Sequence, residues 1–289
     1  MLFDQLIVGI TLGSVYSLIA IGFSLMFLTA GLLNFAHPEF MMAGGLLGYT
    51  LSTQADLSLY LAIPLASLGA GLLAVLVGRV GIAPIRRRNA PLANQIIATL
   101  GWAAVLSNGA MILWGPIPQA YSRRFPGGVF RLGDVPISSE KVVILFLAVA
   151  AMAGLHFFFR NTRLGYAMRA SADDEEAAMA VGINPAIVID WGFFVSGALA
   201  GLAGVFIGML FFVSFDMGSF GLRTFAAAVL GGFGDPVGAT FGGVVLGIVD
   251  VLGSSYLPAG YRDVVAYGVL IVILLLRPYG LFGKGRRIA

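Results

Sequence analysis

The segment RNTRLGYAMRASADDEEAAMAVG, from Arg160 to Gly182, interrupts a chain that is otherwise dominated by apolar runs. It holds seven of the 31 charged residues, which are 17 basic and 14 acidic in a sequence of 289 residues. A segment this polar cannot lie in hydrocarbon, because buried charges are costly unless they are paired. It therefore projects into water between membrane spans, and the apolar runs on either side of it form a transmembrane bundle.

The same segment carries the signals of a short helix at about residues 171–182. Ser171 and Asp174 form an acidic variant of the capping box, and the acidic run 173–176 favours the first turn of a helix. Gly182 lies where such a helix would end. We expect a helix of about three turns, which is too short and too polar to cross a bilayer.

Composition leads to the membrane class independently. Hydrophobic residues make up 59% of the chain and charged residues 11%, whereas about 25% of the residues of an average soluble domain are charged. A soluble core of this size could not hide so much apolar surface. The chain has no cysteine, so disulfide and thiol chemistry are excluded and the redox compartment is left open.

The apolar runs predict nine membrane segments, since a span needs about 20 apolar residues at a rise of about 1.5 Å per residue. The predicted fold is all-α: a polytopic transmembrane helical bundle of about eight to ten segments, some short or broken, in a single transmembrane domain over residues 1–289. The nine segments are residues 6–28, 37–54, 58–78, 95–114, 141–159, 187–212, 220–234, 238–255 and 262–276.

Basic residues orient this bundle, because short cytoplasmic loops carry the excess of Lys and Arg. With the polar segment inside, 11 of the 17 basic residues fall on the cytoplasmic side, which predicts an external N-terminus and an internal C-terminus. The long outward loop from Gly115 to Glu140 contains Arg123, Arg124 and Arg131. It is either part of a docking face for another protein or an ordinary solvated loop.

Two patterns concern the packing of the helices. The first span, its polar break at 34–39 and a Gly-rich segment resemble the sixth span, its break at 215–221 and the Gly-rich stretch from Leu230, which suggests an inverted repeat. In the sixth span a ridge of small residues favours close helix contact, either inside one subunit or along a conduit or a partner subunit. The ridge consists of Gly197, Gly201, Gly204 and Gly208.

Polar residues inside the predicted spans are candidates for a translocation pathway, because they are costly at membrane depth. Asn34, His37 and Glu39 cluster at the start of the second segment, where they could equally be structural. Asp250 lies inside the eighth span and Asp190 near the start of the sixth. Asp250 either stabilises a passing ammonium group or pairs with a polar neighbour.

An enzymatic site is not visible in the sequence. The two histidines, His37 and His156, have no metal-ligand spacing, so neither a metal site nor a catalytic constellation is predicted. The pair Gly283-Lys284 lacks the spacing of a phosphate-binding loop. If the chain belongs to an ATP-driven pump, ATP is therefore bound by a separate polypeptide.

Motifs along nearly the whole chain resemble those of the membrane subunits of ABC importers. Glu176, Ala177 and Ala178, followed by Gly182, match the EAAxxxG coupling motif, and TxLGxAMRA at 162–170, which includes Arg169, looks like the LivH-type permeases that import branched-chain amino acids. The sequence departs from the family's pattern at two places. One is Asn184-Pro185, which differs from the longer form of the coupling motif, and the other is Pro38, where the family more often has Gly. Four further stretches resemble the same family: GSVYSLIAIGFSLMF at 13–27, NFAHPEF at 34–40, LGGFGDPVGATFGG at 230–243 and RPYGLFG at 277–283.

This resemblance implies an ABC importer permease fold in a bacterial inner membrane, with the helix at about 171–182 docked on an ATPase. It implies two ABC ATPase subunits, a second, related permease subunit and a periplasmic solute-binding protein as partners in the lipid bilayer, with no nucleic acid and no cofactor in this chain. Urea, short amides and aromatic acids remain alternative substrates. A stand-alone, gradient-driven transporter is the alternative mechanism, suggested by the buried acids and the possible inverted repeat.

Overall fold

The computed structural model describes residues 2–282 except 89, 123–124, 126–127, 133–134, 257–261 and 278–279. Helices dominate the described chain, with one antiparallel hairpin, β1 (Val129–Leu132) and β2 (Val135–Ser138), which the sequence reading did not predict. Short π-helical turns at Thr50–Gln54 and Gly78–Ile82 extend two of the helices. The helices are α1 (Leu2–Ala30), α2 (His37–Tyr49), α3 (Leu59–Val77), α4 (Ala83–Arg87), α5 (Leu92–Trp114), α6 (Ser139–Asn161), α7 (Arg163–Asp173), α8 (Glu175–Ala180), α9 (Pro185–Leu210), α10 (Gly218–Gly231), α11 (Pro236–Tyr256) and α12 (Arg262–Leu276).

Six helical stretches within the described residues are long and apolar enough to cross a membrane. Each coincides with a predicted span, so the predicted polytopic helical bundle is confirmed. The other three predicted segments form α2, α10 and α12, which have 13, 14 and 15 residues. A helix of 13 or 14 residues is about 20 Å long and does not cross about 30 Å of hydrocarbon by itself.

Contacts between chain-distant residues define the two ends of the bundle. At one end, which we call the coupling end, Arg86 Nη1 donates to the carbonyl of Ala30 at 3.1 Å and Arg86 Nη2 lies 3.3 Å from the carboxylate of Glu175. At the opposite end, the Tyr49 hydroxyl donates to Gln119 Oε1 at 3.0 Å. The polar segment that follows α6 therefore lies at the end of the bundle where α1 finishes.

The helices α2 and α10 both begin in the middle of the bundle. His37 Nε2 lies 3.2 Å from the carbonyl of Ile19, which is in the interior of α1. Glu39 and Pro38 pack against Gly218 and Gly221, so closely that a methyl group on either glycine would overlap them. From this meeting point α2 runs towards the opposite end and α10 runs towards the coupling end. Both are half-helices preceded by a backbone break.

The packing around these half-helices matches the inverted repeat. α1 runs antiparallel to α11, and the Ser17 hydroxyl donates to the carbonyl of Thr240 at 2.7 Å. α9 runs antiparallel to α3 in the same way, and the Ser67 hydroxyl donates to the carbonyl of Ala198 at 2.7 Å. Because α1 and α9 are themselves antiparallel, the unit α1–α2–α3 corresponds to α9–α10–α11 with reversed direction.

The glycine ridge of α9 faces other helices of the same chain. Added methyl groups at Gly197 and Gly201 would meet alanine methyl groups of α3, and one at Gly204 would meet the carbonyl of Met41 on α2. Gly208 faces Val213, which follows α9, and Tyr121 in the loop after α5. The ridge therefore packs helices inside one subunit, which was the first of the two predicted alternatives.

Candidate functional site

The polar segment folds as two helices, so the prediction of one helix at about 171–182 was wrong. Thr162 caps α7, its Oγ1 accepting from the Gly165 amide at 3.0 Å, and Asp174 caps α8, its Oδ1 accepting from the Ala177 amide at 2.9 Å. Ser171 lies inside α7 and is not a cap. The reason is the extended backbone of Asp174 (φ −153°, ψ 106°), which ends one helix and begins the next.

Gly182 ends this region as predicted. Its φ is +88°, a left-handed conformation that side chains other than glycine rarely adopt. The Gly182 amide donates to the carbonyl of Met179, and the Ile183 amide donates to the carbonyl of Ala178, both at 3.0 Å. These bonds close the end of α8 and turn the chain back towards α9. We call residues 163–182 the coupling segment, because they contain the motif for which the sequence predicts coupling.

The coupling segment presents a mixed polar and apolar face to solvent. Glu176 and Ala177 are exposed, whereas Ala178 is buried and anchors α8 to the bundle. Two apolar residues beside them, Met179 and Val181, are 49% and 78% exposed. Adjacent exposed apolar residues rimmed by charge are typical of a protein-docking surface.

Arg169 lies elsewhere on the coupling segment. It is exposed on α7, and its guanidinium lies 4.8 Å from the ring centroid of Tyr166. Tyr166 is itself largely exposed. This cation–π contact fixes the direction of Arg169 on the α7 surface.

A link between α8 and α1 is a feature that sequence reasoning missed. Arg86 contacts both the Glu175 carboxylate and the carbonyl of Ala30, the last residue of α1. These residues lie 89 and 56 positions from Arg86. The run of three arginines at 86–88 is a signal in the sequence, but a run of basic residues by itself predicts only the side of the membrane on which it lies.

The break before α2 is a buried polar cluster. Asn34 Oδ1 accepts from the Ala36 amide at 2.9 Å, and Asn34 Nδ2 lies 2.9 Å from the sulfur of Met26. His37 is fully buried, and its Nδ1 lies 3.1 Å from the Ser196 hydroxyl on α9. Asn34 therefore shapes the turn, and His37 ties the start of α2 to α1 and α9.

The two acids of the predicted pathway occupy separate places. The mostly buried carboxylate of Glu39 packs against Gly218, at the positive end of the α10 dipole. Asp250 is buried and accepts a hydrogen bond from the Tyr16 hydroxyl at 2.8 Å. Asp190 lies near the coupling end, where Arg79 Nη2 is 2.7 Å away. These acids do not converge on one site, and Asp250 has the polar neighbour that was one of its two predicted alternatives.

The loop after α5 covers the opposite end of the bundle. The buried Tyr121 hydroxyl donates to the carbonyl of Gly45 at 2.7 Å, and burial raises the pKa of Tyr121, so the group remains a protonated donor. Phe125 is also buried. Arg123 and Arg124 lie outside the described residues, and Arg131 is in β1. Part of this loop is therefore packed against α2 rather than simply solvated.

Comparison with known proteins agrees with this architecture. The model of the family described as the permease component of branched-chain amino acid transport systems matches residues 5–274. The chain belongs to this family. The predicted LivH-type resemblance is thus confirmed.

Individual relatives extend over almost the full chain. The permease protein BraD of Pseudomonas aeruginosa, of a high-affinity branched-chain amino acid transport system, is 34% identical over 97% of this chain and 95% of its own length. LivH of Escherichia coli K12, with the same description, is 33% identical over the same shares. The solved structure of PsaBC from Streptococcus pneumoniae has a similar fold, with a TM-score of 0.52 and 17% identity over 99% of this chain and 92% of that one.

Proposed function

We propose that this chain is the membrane-spanning subunit of an ATP-driven importer for branched-chain or other hydrophobic amino acids in a bacterial inner membrane. The family and the full-length similarity to BraD and LivH support this class of transport system. The observation that carries the proposal is the coupling segment, a pair of capped, water-exposed helices at one end of an apolar bundle. A gradient-driven carrier does not need such a unit.

The coupling segment suits docking into a cleft on a separate ATPase. Glu176 and Ala177 face solvent next to exposed Met179 and Val181, which offers a surface with both charge and apolar area. The caps at Thr162 and Asp174 stiffen α7 and α8, and a stiff helix transmits displacement without bending.

Movement of the docked segment has a direct route into the bundle. Glu175 begins α8, and its contact with Arg86 continues to the carbonyl at the end of α1. The break at 31–36 follows immediately and leads to the half-helix α2. Displacement of α8 therefore acts on α1 and on the meeting point of the two half-helices, where Asn34, His37 and Glu39 are located.

The remaining subunits follow from this role. Two ATPases bind and hydrolyse ATP, a second and related permease completes the membrane conduit, and a periplasmic binding protein delivers the solute at the opposite end. The helix α5 leaves Ile112 and Leu113 81% and 74% exposed, which suits contact with lipid or with the second permease. The gradient-driven alternative is weakened, since Tyr16 and Arg79 contact the two acids on which it depended.

The coupling role is tested by charge reversal at the docking surface. We expect that Glu176→Lys leaves the protein inserted, releases the co-purifying ATPases and abolishes leucine uptake in cells that also express the partner subunits. The matched control is Asp4→Lys, which makes the same change in charge on the first turn of α1, at the other end of the bundle. It should retain the ATPases and the uptake.

Two outcomes would contradict the proposal. Leucine uptake that persists at the normal rate in Glu176→Lys without any bound ATPase would favour the gradient-driven carrier. Loss of uptake with the ATPases still bound would show that Glu176 does not act by docking.

A further inference from the structure

A groove of about 560 Å³ opens at the coupling end between α1, α6 and α11. Its walls are almost entirely aliphatic and aromatic, and Thr240 supplies the one hydroxyl among the residues that line it. Ile21 and Leu28 lie along the α1 wall, seven residues apart, so the groove extends about 10 Å along that helix. The hydrocarbon core of a bilayer is about 30 Å thick, so one leaflet contributes about 15 Å. The length of the groove therefore fits within the acyl region of a single leaflet.

The rim of this groove is basic. His156, Arg160 and Arg169 contribute to its lining, and no acidic residue does so. Neither arginine has a carboxylate within 4.0 Å in the part of the chain that the structure describes. Their positive charge is therefore available to an anion at the mouth of the groove.

A second, larger cavity at the same end provides a contrast. It has a volume of about 860 Å³, and two of the arginines that line it already have partners in this chain. Arg79 is paired with Asp190 and Arg86 with Glu175. The groove between α1, α6 and α11 thus differs from the larger cavity in that no carboxylate lines it, whereas Glu175 and Asp190 lie beside the four arginines of the larger cavity.

We propose that this groove holds one anionic phospholipid of the leaflet at the coupling end. The acyl chain lies on the apolar walls, and the phosphate accepts hydrogen bonds from Arg160, Arg169 and the imidazole of His156. A basic pocket between membrane helices is a form of anionic-lipid recognition. A soluble anion would leave the apolar walls unfilled, and a zwitterionic lipid would bring no net negative charge to the rim.

Because Arg169 belongs to the coupling segment, the bound lipid would bridge α7 to α6 and α11. The inference depends only on the groove and its charges, so it stands or falls independently of ATPase docking. Binding can be measured on the purified chain in detergent, with no partner subunit present.

The test is native mass spectrometry of the delipidated protein with phosphatidylglycerol or phosphatidylcholine of identical acyl chains. We expect one retained phosphatidylglycerol and much weaker retention of phosphatidylcholine. Arg160→Gln should weaken phosphatidylglycerol binding about fivefold, and Arg160→Gln with Arg169→Gln about 25-fold, as each removed charge contributes separately. The matched control is Arg163→Gln, which removes an equal charge at the same end but does not line the groove.

A second variant tests the apolar walls without changing charge. Val237 is 48% exposed on the α11 side of the groove, so Val237→Trp fills the slot with little disturbance of the core. It should remove the retained lipid while the protein remains monodisperse on gel filtration. Equal retention of both lipids, or equal effects of Arg160→Gln and Arg163→Gln, would overturn the proposal. So would unchanged binding in Val237→Trp.

Discussion

Replacing Gly204 by alanine tests whether close backbone contact between α9 and α2 stabilises the bundle. A methyl group at this position would overlap the carbonyl oxygen of Met41 and lie 2.8 Å from the Met41 carbonyl carbon. Backbone atoms cannot rotate away as a flexible side chain does, so the two helices must separate. We expect a cost near the upper end of the usual overpacking range, about 3 kcal/mol.

The control is Gly109→Ala on α5, where an added methyl group has no neighbour within 4 Å. Alanine favours a helix over glycine by about 1 kcal/mol at both positions. The difference between the variants therefore reports the overlap alone, about 3 kcal/mol, or about 6 to 12 °C in apparent Tm for a chain of this size.

Thermal unfolding in detergent, followed by gel filtration and fluorescence, measures this difference. Gly109→Ala should match or exceed the parent in apparent Tm, and Gly204→Ala should fall well below both. Equal stability of the two variants would refute the assignment of the α9 ridge to packing inside the subunit. Loss of transport at unchanged Tm in Gly204→Ala would instead indicate that the ridge lines a moving interface.

Two further predictions concern single hydrogen bonds. Tyr16→Phe removes the hydroxyl that donates to Asp250 and should lower the free energy of unfolding by about 1.5–3 kcal/mol. The control is Tyr60→Phe, which changes an exposed ring and should leave the free energy of unfolding unchanged. Equal apparent Tm values for the two variants would contradict this prediction. Asp174→Ala removes the cap of α8 and should speed hydrogen exchange of the Ala177 amide about fivefold, from a loss of about 1 kcal/mol. Unchanged exchange there would show that the cap does not hold α8.

Much of the fold could be predicted because membrane helices are encoded locally. Each long apolar run must satisfy its own backbone hydrogen bonds in hydrocarbon, so run length and charge position indicate the spans directly. The same reasoning identified the coupling segment and Gly182, whose left-handed φ only glycine adopts readily. The sequence predicted the wrong N-terminal cap, because Ser171 and Asp174 both offer side-chain acceptors. Which of the two has an extended backbone cannot be read from the sequence alone.

Other features depended on contacts between residues far apart in the chain. No spacing rule links Arg86 to Glu175, which is 89 residues away, or Tyr16 to Asp250, which is 234 residues away. The proposed lipid site between α1, α6 and α11 likewise differs from the larger cavity by the absence of a carboxylate among its lining residues, which come from distant parts of the chain.

The amino-acid sequence by itself determined that this is a helical membrane protein, where its spans lie, which segment stays in water and which family it resembles. These properties follow from local hydrophobicity, charge and motif. The tertiary structure alone decided that the two short segments start in the middle of the bundle and that the α9 glycines pack inward. It also decided which buried acids have partners. Such outcomes depend on how antiparallel helices align in space, and hydropathy along the chain carries no record of that alignment.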